Sequence, residues 1–115
     1  MADLAGAMAG GSAEHAVIAR YRLAQDGFGG PDDRAAVREA QRLLTEAIER
    51  SGVGEFDGNE LGGGEAVLYA YGPDADVLFG VMEATLRGLR LRPAHVILRY
   101  GSAADPGAAQ VRVDL

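Results

Sequence analysis

Apolar and polar residues alternate from His15 to Leu23, with Val17, Ala19, Tyr21 and Leu23 on one side and Ala16, Ile18, Arg20 and Arg22 on the other. A period of two over this length predicts a strand whose second side carries the arginines. Beyond the glycine-rich loop Gln25-Asp-Gly-Phe-Gly-Gly30 the period changes. Val37, Ala40, Leu44, Ala47 and Ile48 fall on one stripe, while Arg34, Arg38, Arg42, Glu46, Glu49 and Arg50 lie largely outside it. That spacing predicts an amphipathic helix of about 20 residues from Pro31 to Ser51. Pro31 loses no needed donor at the first helical position, Asp32 and Asp33 face the positive end of the dipole, and Gly52 closes the helix as a left-handed cap.

Glu55 to Leu61 then predicts a short edge strand, Gly62-Gly63-Gly64 a reversal, and the nearly continuous apolar run Ala66 to Tyr71 a central strand. Gly72-Pro73-Asp74 repeats the tripeptide of Gly30-Pro31-Asp32 and predicts the same helix-opening chemistry. The second helical stripe is Val77, Leu78, Val81, Met82, Thr85, Leu86 and Leu89, ending near Gly88 because Pro93 cannot lie inside it. Ala94 to Tyr100 and Gln110 to Leu115 alternate as further strands. Two strand-helix-strand halves in tandem predict an α+β fold, a ferredoxin-like βαββαβ sandwich with an extra C-terminal strand and both helices on one face of an antiparallel sheet. The first and third strands are then central. Residues 1–13 lack apolar periodicity and are expected to form a disordered tail, leaving residues 14–115 as one domain.

Composition narrows the function classes. A chain of 115 residues is one domain by length, and without cysteine it has no disulfide framework, thiol nucleophile or thiolate metal site. No apolar run approaches the about 20 residues of a membrane helix. The first dozen residues carry no basic segment ahead of a long apolar one, so a cytoplasmic location is the expectation. The net charge of −6 repels a phosphate backbone and disfavours nucleic acid as a partner unless the arginines gather on one face.

Three stretches are candidates for chemistry. The acidic segment Glu55, Asp57, Glu60 and Glu65 reads as a charged edge that discourages strand pairing, with a hard-cation site for Mg²⁺ or Ca²⁺ as the alternative. It lacks the ligand spacing of a calcium loop. The three glycines precede a strand in a chain with no lysine, which excludes a phosphate loop. The third stretch is the open sheet face. If Ala66, Leu68 and Ala70 admit a helix, then Val67, Tyr69 and Tyr71 point the other way, beside Ile18, Arg20 and Arg22 from the first strand and His95, Ile97 and Arg99 from the fourth. An aromatic, apolar and cationic patch of this kind has the composition of a buried contact. Tyr69 and Tyr71 also suggest an RNA-stacking platform, but the basic-aromatic consensus is missing and the net charge has the wrong sign.

The run Gly54-Glu-Phe-Asp-Gly-Asn-Glu60, then Leu68-Tyr-Ala-Tyr-Gly-Pro-Asp-Ala-Asp-Val-Leu-Phe79 and Leu98-Arg-Tyr-Gly101, resembles small bacterial proteins without an assigned activity, over most of residues 15–115. In architecture the chain is similar to dimeric α+β barrel proteins, whose open sheet faces pair and sometimes enclose a small-molecule site. The expectation is a non-catalytic binding or protein-interaction module of the immunity or accessory type, a homodimer or a partner of another protein, needing no cofactor and no metal. The alternative is a small dimeric α+β barrel enzyme with a pocket holding His95, Tyr69 and an arginine over the sheet face.

Overall fold

The computed structural model describes residues 14–115; the expectation of a tail over residues 1–13 lies outside the described residues. The elements are β1 (His15–Arg22), α1 (Pro31–Ser51), β2 (Glu55–Gly62), β3 (Glu65–Gly72), α2 (Ala75–Gly88), β4 (Ala94–Arg99) and β5 (Gln110–Asp114). The five strands form one sheet in the order β2-β3-β1-β4-β5, and every neighbouring pair is antiparallel. The fold is therefore α+β, two helices against a five-stranded antiparallel sheet. β3 lies between β1 and β2, and β1 lies between β3 and β4, so the two halves interleave. β5 extends the sheet beyond β4, with Val113 opposite Val96.

One core holds the layers together. Val17, Ala19 and Tyr21 of β1, Leu68 of β3 and Val96 of β4 meet Leu44 and Ile48 of α1 and Leu78, Met82 and Leu86 of α2. Each of these side chains is at most 1% exposed, and burying one such leucine contributes roughly 1.5–3 kcal/mol. The small residues Ala19, Ala66 and Ala70, all fully buried, keep the helix layer close to the sheet. Tyr21 crosses the seam and donates its hydroxyl to the Leu86 carbonyl at 2.7 Å.

The repeated Gly-Pro-Asp does different work at its two sites, which corrects the expectation of a single helix-opening device. At α1 the cap is Gly30, Pro31 is the first helical residue, and the Asp33 carboxylate reaches back to the Gly30 N–H at 3.1 Å. The same carboxylate accepts from Ala24 and Gln25 N–H at 3.1 and 3.0 Å, so it also pins the β1–α1 loop. At α2 the register moves on, and Asp74 is itself the cap, accepting from Asp76 and Val77 N–H at 3.0 and 3.3 Å. Proline then lies outside the helix, where its missing donor is equally harmless.

Glycine is required at two places. Gly63 and Gly64, at φ 59° and 78°, make the two-residue reversal between β2 and β3, a left-handed pair that matches the twist of the strands. Where the end of β3 meets the chain entering β2, a Cβ on Gly54 would stand 2.3 Å from the Tyr71 carbonyl oxygen, and one on Gly72 would stand 2.4 Å from that of Val53. Backbone meets backbone there, and neither side can give way.

Candidate functional site

Strand pairing sorts the sheet residues by side. One row across the uncovered side runs Gly58, Tyr69, Ile18, Ile97, Arg112; the next runs Glu60, Val67, Arg20, His95, Asp114; a third runs Glu55, Tyr71, Ala16, Arg99, Gln110. Arg22 stands opposite Glu65 at the end of β1. Both helices pack on the other side, against Val17, Ala19, Leu68 and Val96. The register thus brings Ile18, Arg20, Arg22, Val67, Tyr69, Tyr71, His95, Ile97 and Arg99 onto one side, because alternate residues of a strand share a side.

The patch is more closed than its sequence suggests. Val67 is only 6% exposed, lying in a hollow lined also by Arg20, Glu60 and Glu65. Ile18, Tyr69, Tyr71 and Ile97 are half-buried. Long polar side chains account for this: Arg20 reaches Glu65 at 3.4 Å, and the Tyr69 hydroxyl donates to Glu60 at 2.7 Å. That hydrogen bond, with burial behind it, holds the Tyr69 phenol above its ordinary pKa.

His95 sits among cations. Burial first, and then the fields of Arg112 and Arg20, lower its pKa from the ordinary value, with Asp114 and Glu65 opposing. The hollow beside Tyr69 and Tyr71 is lined by Asp57, Gly58, Asn59 and Glu60, and His95 lines neither it nor the one around Val67. His15 lies on the helix side. Its Nδ1 accepts from the Ala75 N–H at 3.1 Å, and its ring meets Tyr100 edge-on at 5.7 Å. These contacts hold the start of α2 against β1.

The acidic segment does not converge. A bulge between Phe56 and Gly58 breaks the alternation that would set Glu55 and Asp57 side by side. Glu60 is taken up by Tyr69 and Glu65 by Arg20. Among the described residues no three His, Asp or Glu side chains gather closely enough to hold a metal ion.

No protein family, curated protein or solved structure matches the chain. The site's own geometry therefore carries the functional argument. Two features of it were missed by periodicity. An open apolar groove of about 550 Å³ runs between the helices, lined by Ala36, Ala40, Leu43, Ala84, Gly88 and Leu89. Among the described residues, the most exposed large apolar side chains, Phe28, Leu43, Val77 and Val111, also lie outside the sheet patch. Val77, counted in the apolar stripe of the second helix from its spacing, is instead 48% exposed, because the buried stripe of α2 is Ala75, Leu78, Met82 and Leu86, and Leu43 lines the groove without being covered. Among the described residues no helix is long and apolar enough to cross a membrane.

Proposed function

We propose that this protein is a non-catalytic binding module that pairs with a second copy of itself through its uncovered sheet side, in the manner of a small immunity or accessory protein. The observation that carries this reading is the row Tyr69, Ile18, Ile97, three large half-buried side chains on adjacent strands with, among the described residues, no helix over them. Flanked by Arg20, Arg99 and Tyr71, such a row has the aromatic, arginine-rich composition of interface centres. The order β2-β3-β1-β4 with both helices on one side supports a ferredoxin-like βαββαβ architecture, β5 being an addition. Sheets of that build pack face to face about 10 Å apart.

Light scattering coupled to gel filtration tests the proposal. The native chain is expected at twice its 12.0 kDa mass, and Tyr69→Ala and Ile18→Ser at the monomer mass with their melting temperatures little changed. A native chain that stays monomeric at about 100 μM, a concentration that populates any dimer of micromolar Kd, refutes it.

A further inference from the structure

The sheet separates its charges by strand. Every arginine in a strand, Arg20, Arg22, Arg99 and Arg112, lies on the uncovered side and belongs to β1, β4 or β5. β2 and β3 contain no cationic residue, and their carboxylates Glu55, Glu60 and Glu65 lie on the same uncovered side by register. Asp57 stands at the bulge next to them and lines the hollow with Tyr69 and Tyr71. The face is thus acidic over β2 and β3 and basic over β4 and β5. Asp114 is the exception, and it is held by Arg112 at 2.9 Å.

A homodimer with a closed interface is two-fold symmetric, so each patch meets itself or another patch of the same surface. Two sheets packed face to face with aligned strands leave two placements of the axis. An axis across the strands lays β2 over the partner's β2, setting carboxylates against carboxylates and arginines against arginines. An axis along β1, the middle strand, lays the acidic β2–β3 half over the partner's basic β4–β5 half, on both sides of the axis at once. Like charges juxtaposed at an interface cost several kcal/mol and opposite ones fix the register. We infer that the second copy docks about a two-fold axis running along β1, with Ile18 near the axis; such an axis keeps each row, so Arg112 of one copy lies over Gly58 of the other, between Glu55 and Glu60, and Arg99 lies over Tyr71 beside Glu55, while Glu60 itself lies over Asp114. Arg20 and Arg22, which approach their own counterparts at the axis, already carry local partners in Glu65 and Asp26, each at 3.4 Å. The inference rests on the dimer proposed above and adds its geometry.

Charge reversal in two variants tests it. Glu55→Arg with Glu60→Arg makes the β2 edge basic like the β4–β5 half, and Arg99→Glu with Arg112→Glu makes the β4–β5 half acidic like the β2–β3 half. Each variant alone is expected to dimerise at least tenfold more weakly than the native chain, and an equimolar mixture to form a heterodimer at or above native affinity, measured by analytical ultracentrifugation. Circular dichroism checks that each variant folds. Should either fail to fold, the native dimer itself is measured, and its dissociation constant is expected to rise from 50 to 500 mM NaCl as screening weakens the facing charges. A native chain that dimerises while both variants still self-associate normally, or fail to pair when mixed, overturns the axis but leaves the dimer standing. So does a native dimer indifferent to salt where a variant does not fold. A monomeric native chain overturns both.

Discussion

Replacing Tyr21 with Phe isolates a single hydrogen bond at the seam between the sheet and the helices. The Leu86 carbonyl belongs to the last turn of α2, where a helix runs out of N–H partners for its own carbonyls. The Tyr21 hydroxyl donates to it at 2.7 Å, and the two residues are 1% and 0% exposed, so water does not replace a lost donor. Phe keeps the ring in its packing and removes only the donor, which leaves a buried acceptor unpaired at a cost of about 1–3 kcal/mol. In a domain of this size that is a drop in melting temperature of roughly 5 to 15 °C, with the denaturant slope unchanged. Tyr100→Phe is the control. Its hydroxyl donates to Asp76 at the surface, where water substitutes, and less than about 1 kcal/mol is expected. Alkali supplies a second readout. Burial raises the Tyr21 phenol above its ordinary pKa, with Arg92 opposing. The folded state therefore keeps a proton that the unfolded chain gives up near pH 10, so this contribution is whole below about pH 10 and is lost as pH rises further. Tyr21→Phe is expected to flatten that alkaline loss. A Tyr21→Phe protein that melts with the native one, or no lower than Tyr100→Phe, would refute the reasoning.

Leu44→Ala and Leu86→Ala each remove a fully buried side chain between helix and sheet, and urea titration is expected to show losses of about 2–5 kcal/mol. Asp33→Asn is expected to lower the melting temperature nearly as far as Asp33→Ala, because the amide NH₂ meets backbone N–H groups that the carboxylate accepted. Those hydrogen bonds, that from Gln25 first, hold the Asp33 pKa below the carboxylate range. Their stabilisation is thus complete above about pH 4 and is lost as pH falls through the folded-state value; melts from pH 5 to pH 2 should be flatter for Asp33→Asn. His95 runs the opposite way to a paired histidine. Its lowered pKa means that the unfolded chain binds a proton first, so stability falls as pH drops below about 6.5. Melts of His95→Gln between pH 7.5 and 5 should lack that slope, and an unchanged slope would remove the histidine from the account.

Alternation made β1, β4 and β5 legible, helical stripes made both helices so, and β3 stood out as an apolar run buried on both sides, while β2, which buries no residue, was legible only as a short edge segment before the glycine reversal. The same logic assigned the sides of β1, β3 and β4 correctly. What local pattern did not carry was anything that depends on chain segments meeting. Asp33 reads as one of two acidic residues at a helix start, and only the return of the β1–α1 loop gives it three N–H donors. Gly54 reads as a loop residue until Gly72 is seen against it. The bulge at Asp57 removed the pairing of carboxylates that a regular strand would give. The cover over Val67 comes from side chains on neighbouring strands, which no single strand predicts.

The net charge of −6 hides how the charges are arranged on the sheet. Acidic and basic residues are interspersed along the chain, but strand order collects them into opposite halves of one sheet side. The sheet's edges are guarded by the same residues. β2 ends the sheet with Glu55, a bulge and Glu60, and β5 ends it with Arg112 and Asp114. Bulges and charged side chains discourage an edge from adding a strand, so side-by-side growth of the sheet is opposed at both ends. A second copy approaching either edge meets a kinked or charged strand, whereas one approaching the face with its strands aligned meets complementary charge around Ile18. If the chain associates with itself, physical chemistry therefore directs it to the face, where association closes at two copies instead of propagating.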